Sequence, residues 1–357
     1  MQSVEVNKLE VEKEQKKEKH IKCVVWDLDN TIWQGVLLED DKVELRSGIV
    51  DLIKEIDSRG ILQSIASRND YDMASRKLEE LGIAEYFLYP QINWNNKSGS
   101  VREIARLINI GLDTILFIDD QEFERDEVAF NVEGVRCYDP KYLDGLLELP
   151  YMKPKFITED SKIRRLLYMS DIKRNNEKSE FSGTEEEFLA QLDMKLTISE
   201  VQDGDLQRAE ELTVRTHQLN ATGYTYSYEE LDHFRKSPDH ILLIAELEDK
   251  YGTYGKIGLV LIERGADVWT LKLMLMSCRV MSRGVGSVVL GYVIRLAKEA
   301  KVKLCAEFVP NDVNRMMYVT YKFAGFKEAK KSEGLVLLEH DYAFIQPYPD
   351  YVKLIVN

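Results

Sequence analysis

The chain has 357 residues, a length that suits two domains of ordinary size better than one core. At 44% hydrophobic and 31% charged it has the apolar material for packed interiors, which excludes disorder as its overall state. Asp and Glu number 62 against 48 Lys and Arg, a formal charge of −14 that argues against nucleic-acid or anionic-membrane binding as a general property. No apolar run approaches a bilayer span, and the charged N-terminus MQSVEVNKLEVEKEQKKEKH lacks a signal-peptide core, so a soluble cytoplasmic protein is expected.

Residues 1–19, rich in Glu and Lys, read as a charged tail. From residue 21 the pattern changes. Residues 21–27 form a short Val-rich apolar run of the kind a strand buried on both faces needs. Helical periodicity follows at 49–59, a strand at 61–66, helices at 73–81 and 101–110, a strand at 114–118, a helix at 122–130 and a short strand at 135–138. Strands alternating with helices at this spacing predict an α/β fold, a parallel sheet covered on both faces, over residues 20–150. Residues 151–194, with prolines and a polar run, read as a helical connector. In 195–357 a helix at 205–219 precedes strands at 241–246, 256–263 and 268–276, a long helix at 283–300, a strand at 302–308 and a helix at 311–322. That order predicts a separate α+β domain.

The sharpest motif is Asp27-Leu28-Asp29-Asn30-Thr31, directly after the first buried strand. Ligands of parallel α/β sheets bind beyond the carboxyl ends of the strands. Two carboxylates two residues apart at such an end can turn toward one small site, where packing them together raises a pKa unless a divalent cation joins them. A second acidic pair, Asp119-Asp120, ends the strand at 114–118 in the same way. Ser67 follows the strand at 61–66 and offers a hydroxyl to a phosphate oxygen, and Lys97 offers an ammonium before the helix at 101–110. Each residue alone has a structural explanation, as a turn, a helix cap or a surface charge. Their common register with strand ends points to phosphate chemistry.

The order DxDNT, Ser, Lys, DD resembles the haloacid dehalogenase (HAD) superfamily of phosphatases and phosphotransferases. The resemblance implies a Rossmann-like parallel sheet with a minimal cap and a Mg²⁺ cofactor. By the same resemblance Asp27 is the nucleophile and Asp29 the acid/base. Ser67 and Lys97, joined by Asn30 and Thr31, hold the phosphoryl group, and Asp27, Asp29, Asp119 and Asp120 hold the metal. The strings CVVWDLDNTIWQGVL, NWNNKSGSVREIARLINIGLDTILFIDD and FERDEV are similar to the FkbH-like family of polyketide pathways, whose members attach a glycolytic three-carbon unit to an acyl carrier protein. Only 39 residues separate Asp27 from Ser67 and 29 separate Ser67 from Lys97, too few for a large lid, which leaves an open site suited to a large or protein-borne substrate.

In the second half, the strand at 268–276 runs into Ser277-Cys278-Arg279 and then Ser282-Arg283-Gly284-Val285-Gly286-Ser287 before a long helix. Glycines let a backbone approach a phosphate, and helix N-terminal amides favour negative charge. With Asn314, Tyr318, Tyr321, Gly325 and Phe326 beyond, this half resembles the GNAT acyltransferase fold. Arg279, Arg283, Gly284, Gly286 and Asn314 are then the acyl- or pantetheine-binding residues. Met281 stands where that family usually has Gln or Arg, which argues against ordinary acetyl-CoA.

The four cysteines form no CxxC pair, and Cys23, Cys137 and Cys305 lie in apolar strands as core residues. Cys278, at a strand end beside Arg279 and near a helix start, is either an acyl-carrying nucleophile or an inert thiol. His217 is either the base for a carrier thiol or a helix-terminal histidine. Tyr224, Tyr226 and Tyr228 form a strand face or line a pantetheine arm. The resemblance implies a glyceryltransferase/phosphatase that loads a glyceryl unit from 1,3-bisphosphoglycerate, a phosphorylated three-carbon metabolite, onto a phosphopantetheinylated acyl carrier protein through a Cys thioester. A small-molecule phosphatase with a non-catalytic second domain and a carrier-docking adaptor are the alternatives. Neither nucleic acid nor membrane is expected as a partner.

Overall fold

The structure, a computed structural model, describes residues 19–40, 42–332 and 334–357; the tail expected over 1–19 falls almost wholly outside them. The chain divides into two compact units between Leu166 and Leu167, inside the stretch read as a connector. The α/β class is as expected: a Rossmann-like parallel sheet with a minimal cap, followed by a separate α+β unit. No helix among the described residues is long and apolar enough to cross a membrane.

In the first unit, strand β1 (Cys23–Trp26) is buried at every position, as its Val-rich run requires. Helix α1 (Ile49–Ser58) turns Ile49, Ile53 and Ile56 inward at helical spacing. Strand β2 (Leu62–Ser67) follows, then helix α2 (Tyr71–Glu80), whose Asp70 cap accepts a hydrogen bond from Met73 N at 2.9 Å. The remaining elements are β3 (Gln91–Ile92), α3 (Lys97–Ile108), β4 (Ile115–Ile118), α4 (Glu122–Asn131) and β5 (Arg136–Tyr138). The sheet order is β3-β2-β1-β4-β5, all parallel. The chain leaves β1 for β2 on one side and returns to β4 on the other, which opens a crevice at the carboxyl end of β1. Between Asp27 and Ser67 the described residues hold only a two-residue ribbon, Trp33–Gln34 with Glu44–Leu45, and α1.

The second unit begins within α5 (Arg164–Glu180) and continues through α6 (Glu185–Ala190), β6 (Met194–Glu200), α7 (Leu206–Arg215), α8 (Tyr228–Lys236), β7 (His240–Asp249), β8 (Gly252–Arg264), β9 (Val268–Met276), α9 (Val285–Glu299), β10 (Lys303–Phe308), α10 (Arg315–Phe323), β11 (Phe326–Ser332), β12 (Leu335–His340) and β13 (Val352–Val356). Its sheet runs β11-β12-β10-β9-β8-β7-β6-β13. Strands β9 and β10 are parallel but pair only from Val268↔Lys303 to Leu271↔Ala306, so β9 continues beyond its partner. The backbone of that overhang is satisfied from within the chain: Ala221 N donates to Met274 O at 3.0 Å and Met276 N to Leu219 O at 2.9 Å.

The helix expected over 205–219 ends at Arg215, which frees residues 219–221 for this role. The segment carrying Tyr224 and Tyr226 is not a strand, and Tyr228 opens α8. Of the cysteines expected in the core, Cys23 and Cys305 are buried and Cys137 is half-buried.

A buried ion network ties α5 to the sheet of this unit. Arg174, wholly buried, donates from Nε and Nη2 to the two carboxylate oxygens of Asp249 at 2.7 and 2.8 Å, and from Nη1 to Asp171 at 2.8 Å. Its guanidinium also stacks 3.7 Å from the ring centroid of Tyr254, whose hydroxyl donates to Asp249 at 2.9 Å. Removing one partner of such a network strands the other charges. Arg174→Ala is therefore expected to lower unfolding free energy by about 3–5 kcal/mol in denaturant titration of the full chain; a loss under ~1 kcal/mol would show that the network carries little.

Candidate active site

Three strand ends build the site. Asp27 follows β1, Ser67 closes β2, and Asp119 and Asp120 follow β4. Asp27, Asp119 and Asp120 each present a carboxylate oxygen, all within 4.8 Å of one another. Lys97 does not precede its helix, as the sequence suggested, but is the first residue of α3, and it is buried. Its ammonium bridges Asp27 Oδ1 at 2.8 Å and Asp119 Oδ2 at 2.5 Å. The Ser67 hydroxyl also bonds to the Asp27 carboxylate.

The electrostatics follow from this crowding. Burial raises the Asp27 pKa and Asp119 adds to it; Lys97 and Ser67 oppose, and the carboxyl settles at about 7. Asp120 is also raised, first by burial and then by Asp119. Burial works against the charge on Lys97, but Asp27 and Asp119 together outweigh it and hold the ammonium above its ordinary value. The donor set fits a divalent cation. It consists of hard oxygen ligands from two strand ends, and Asp120 Oδ1 is buried with no hydrogen-bond partner among the described residues.

Three expected residues are used differently. The Asp29 carboxylate is not in the acidic cluster that could hold a metal. Its Oδ1 accepts from Trp33 Nε1 at 2.8 Å and from Leu37 N at 3.1 Å, and its Oδ2 accepts from Asn69 Nδ2 at 3.0 Å. The side chain is held between the loop that follows and Asn69, which lies two residues beyond Ser67. Asn30, at φ 53°, spends its Oδ1 on Gly35 N at 3.1 Å, and the Thr31 hydroxyl accepts from Asp120 N at 3.2 Å. Both side chains thus brace the loop, and Thr31 links the two acidic motifs.

Sequence reasoning missed the residues that fix this geometry. Trp33 and Asn69, both buried, hold opposite oxygens of Asp29. Arg125 donates from Nη1 to the carbonyls of Asp119 and Asp120 at 2.7 and 2.9 Å, and from Nη2 to Asp139 at 3.2 Å. The one available signal was spacing: Trp33 lies four residues after Asp29, and Arg125 one turn into the helix after the acidic pair.

In the second unit Arg279, Arg283 and Gly284 lie between β9 and α9, and Gly286 is the second residue of α9. Gly284, at φ 72°, caps α9, and a Cβ there would lie 2.6 Å from the Tyr351 hydroxyl, so the position demands glycine on two counts. Arg283 is buried, with Nε and Nη1 lacking hydrogen-bond partners among the described residues. The turn lines a cleft of about 630 Å³ together with Glu185, paired with Lys178 at 2.6 Å, and Glu186. Cys278 is exposed in the short turn Cys278–Val280, and His217 is exposed just past the end of α7.

Asn314 departs from its expected role as a ligand residue. It is fully buried, and its Nδ2 lies 3.1, 3.3 and 2.9 Å from the carbonyls of Asn220, Ala221 and Val309. It clamps the segment that covers the β9 overhang.

No family model matches the chain, and no curated protein matches it. Among solved structures it is similar to the N-terminal part of a Bacteroides fragilis protein containing a phosphatase domain complexed with Mg, at 30% identity over 38% of this chain and 40% of that one, TM-score 0.33. It thus spans less than half the length of that relative. It is also similar to the Escherichia coli ribosomal-protein-S18-alanine N-acetyltransferase, at 17% identity over 41% of this chain and 92% of that one, TM-score 0.33. The GNAT domain of a Streptomyces lividans protein matches at 20% identity over 40% and 88%, TM-score 0.33.

Trp33→Phe keeps an aromatic ring but removes the fused five-membered ring and the N–H that donates to Asp29. If Asp29 moves the proton, kcat for phosphate-ester hydrolysis should fall about ten- to a hundredfold with KM unchanged. Unchanged kcat would show that Trp33 serves packing alone.

Proposed function

We propose that the chain is a Mg²⁺-dependent phosphatase and acyltransferase that loads a glyceryl unit from 1,3-bisphosphoglycerate onto an acyl carrier protein and removes the remaining phosphate. The observation that carries the phosphate half is the convergence of Asp27, Asp119 and Asp120 with Lys97 and Ser67 at the carboxyl end of a parallel sheet. Asp27, Asp119 and Asp120 would hold the cation, which supplies positive charge between the carboxylates and the phosphoryl oxygens.

In the phosphate half the Asp27 carboxylate attacks phosphorus, and the bond from phosphorus to the ester oxygen breaks. Asp29 gives that oxygen its proton. Asp29, now a carboxylate, takes a proton from water; the hydroxide displaces the Asp27 oxygen from phosphorus and frees inorganic phosphate. Lys97 balances the charge on Asp27 throughout, and the Ser67 hydroxyl orients the phosphoryl group.

In the acyl half the Cys278 thiolate attacks the carbonyl of the acyl phosphate, and phosphate leaves with the bonding electrons. The thiol of the carrier arm loses its proton to His217 and attacks the thioester, returning Cys278 as thiolate. Exposure of Cys278 and His217 supports this assignment, since both groups are open to a protein-borne substrate. The carboxylates of Glu185 and Glu186 in the cleft beside Gly284 support a carrier-borne arm over a free nucleotide thioester.

The test incubates the full chain with Mg²⁺, 1,3-bisphosphoglycerate and phosphopantetheinylated carrier protein, with mass spectrometry of both proteins and a phosphate assay. Asp27→Asn should leave the acyl group phosphorylated, and Cys278→Ala should abolish acyl transfer by about a hundredfold or more. Wild-type transfer in Cys278→Ala would remove the covalent step. Phosphate release without any carrier thioester would favour the small-molecule phosphatase.

A further inference from the structure

Helix α10 has one apolar stripe too many. Met317 and Tyr321 are buried against the sheet, as one amphipathic face requires. Met316, Val319 and Phe323, at i, i+3 and i+7, form a second stripe on the opposite side. Met316 is 50% exposed and Phe323 80% exposed, with Val319 half-buried between them. An aromatic ring left this open beside other apolar groups marks a contact surface.

The charges beside the stripe have the opposite sign to the chain as a whole. Arg315 and Lys322 are exposed on the same helix, and the edge strand β11 adds exposed Lys331, which pairs opposite Val336 and so shares the strand face of Glu328. Among the described residues none of these three has an ion-pair partner. The nearby Glu328 carboxylate is engaged by the Tyr318 hydroxyl at 2.5 Å, and Lys327 is paired with Asp341 at 2.5 Å. A cationic rim around an apolar stripe, in a chain of net charge −14, is complementary to an acidic protein surface.

Two other occupants fit less well. A second copy meeting the same face about a two-fold axis would set its cationic rim against itself. An anionic membrane is an extended plane that would feel the whole acidic chain, whereas a small protein feels only what lies within a Debye length, ~8–10 Å.

The stripe also adjoins a place for a ligand. Met316 and Thr320 line a groove of about 90 Å³ with Met274, Met276, Met281 and Gly284, next to the glycine turn. Thioethers and a bare backbone suit a slender, largely apolar arm.

We propose that this outward face of α10, rimmed by Arg315, Lys322 and Lys331, docks an acidic protein domain and leads its thiol-bearing arm into the groove beside Met316 and Thr320. The assignment of a thiol-bearing arm rests on the function proposed above; the docking face rests on exposure and charge.

The experiment measures binding of phosphopantetheinylated acyl carrier protein to the full chain by calorimetry, without turnover. Binding should weaken between about 50 and about 300 mM salt, and Phe323→Glu and the double variant Lys322→Glu/Lys331→Glu should each weaken it by about tenfold or more. Release of phosphate from a small phosphate ester and the thermal transition should stay as in the wild type, which separates docking from folding. Unchanged carrier affinity in both variants, or no carrier binding at all, overturns the proposal. So does binding of phosphatidylserine vesicles in place of the carrier, or a dimer that Phe323→Glu dissociates while carrier affinity stays the same. Intact, variant-sensitive binding with no acyl transfer would sink the functional reading and leave the docking face standing.

Discussion

Three carboxylates whose oxygens lie within 4.8 Å of one another cannot all stay ionised in a buried crevice without positive charge among them. At that spacing each ionised pair repels by on the order of 3 kcal/mol for an effective dielectric constant of ~20. The Lys97 ammonium meets part of the deficit by bridging Asp27 and Asp119, but one cation against three anions leaves the crevice short. The protein alone answers by protonation: burial and Asp119 push the Asp27 carboxyl up to about 7. A bound cation would relieve that repulsion and favour the ionised carboxylate. The surrounding structure holds this unstable arrangement in place. Arg125 pins the carbonyls of the second acidic pair, Thr31 joins the two motifs, and Trp33 with Asn69 keeps the Asp29 carboxylate turned into its loop.

The second unit solves a different problem, that of a strand which outruns its neighbour. Beyond Leu271 the strand β9 has no β10 partner, and a ligand backbone or the chain itself must meet its polar groups. Here residues 219–221 do so, clamped by Asn314. What remains open is a narrow methionine-lined groove and a turn whose facing wall is acidic.

Much of this was legible in the sequence because the strands of the first unit are buried on both faces and so read as unbroken apolar runs. The carboxyl ends of those runs located Asp27, Ser67, Asp119 and Asp120. The rest was not legible because it depends on where side chains turn. Asp29 stays out of the acidic cluster because Trp33, Leu37 and Asn69 take up its carboxylate by hydrogen bonds, which no spacing announces. The early start of α3 puts Lys97 on a helix whose first turn has no apolar periodicity to announce it. In the second unit the edge strand β11 is largely exposed and carries many charges, so its pattern is that of a surface. Asn314 looked like a ligand residue since nothing in one dimension reveals three carbonyls converging on its amide.

The central claim is that the carboxyl cluster is a cation site. Calorimetric titration of Mg²⁺ into the metal-free full chain tests it most directly, with Asp119→Asn and Asp120→Asn compared at the same pH. The account predicts one Mg²⁺ taken up per chain, with affinity lost or strongly reduced in both variants. No heat of binding in the wild type, or uptake indifferent to both substitutions, would contradict it.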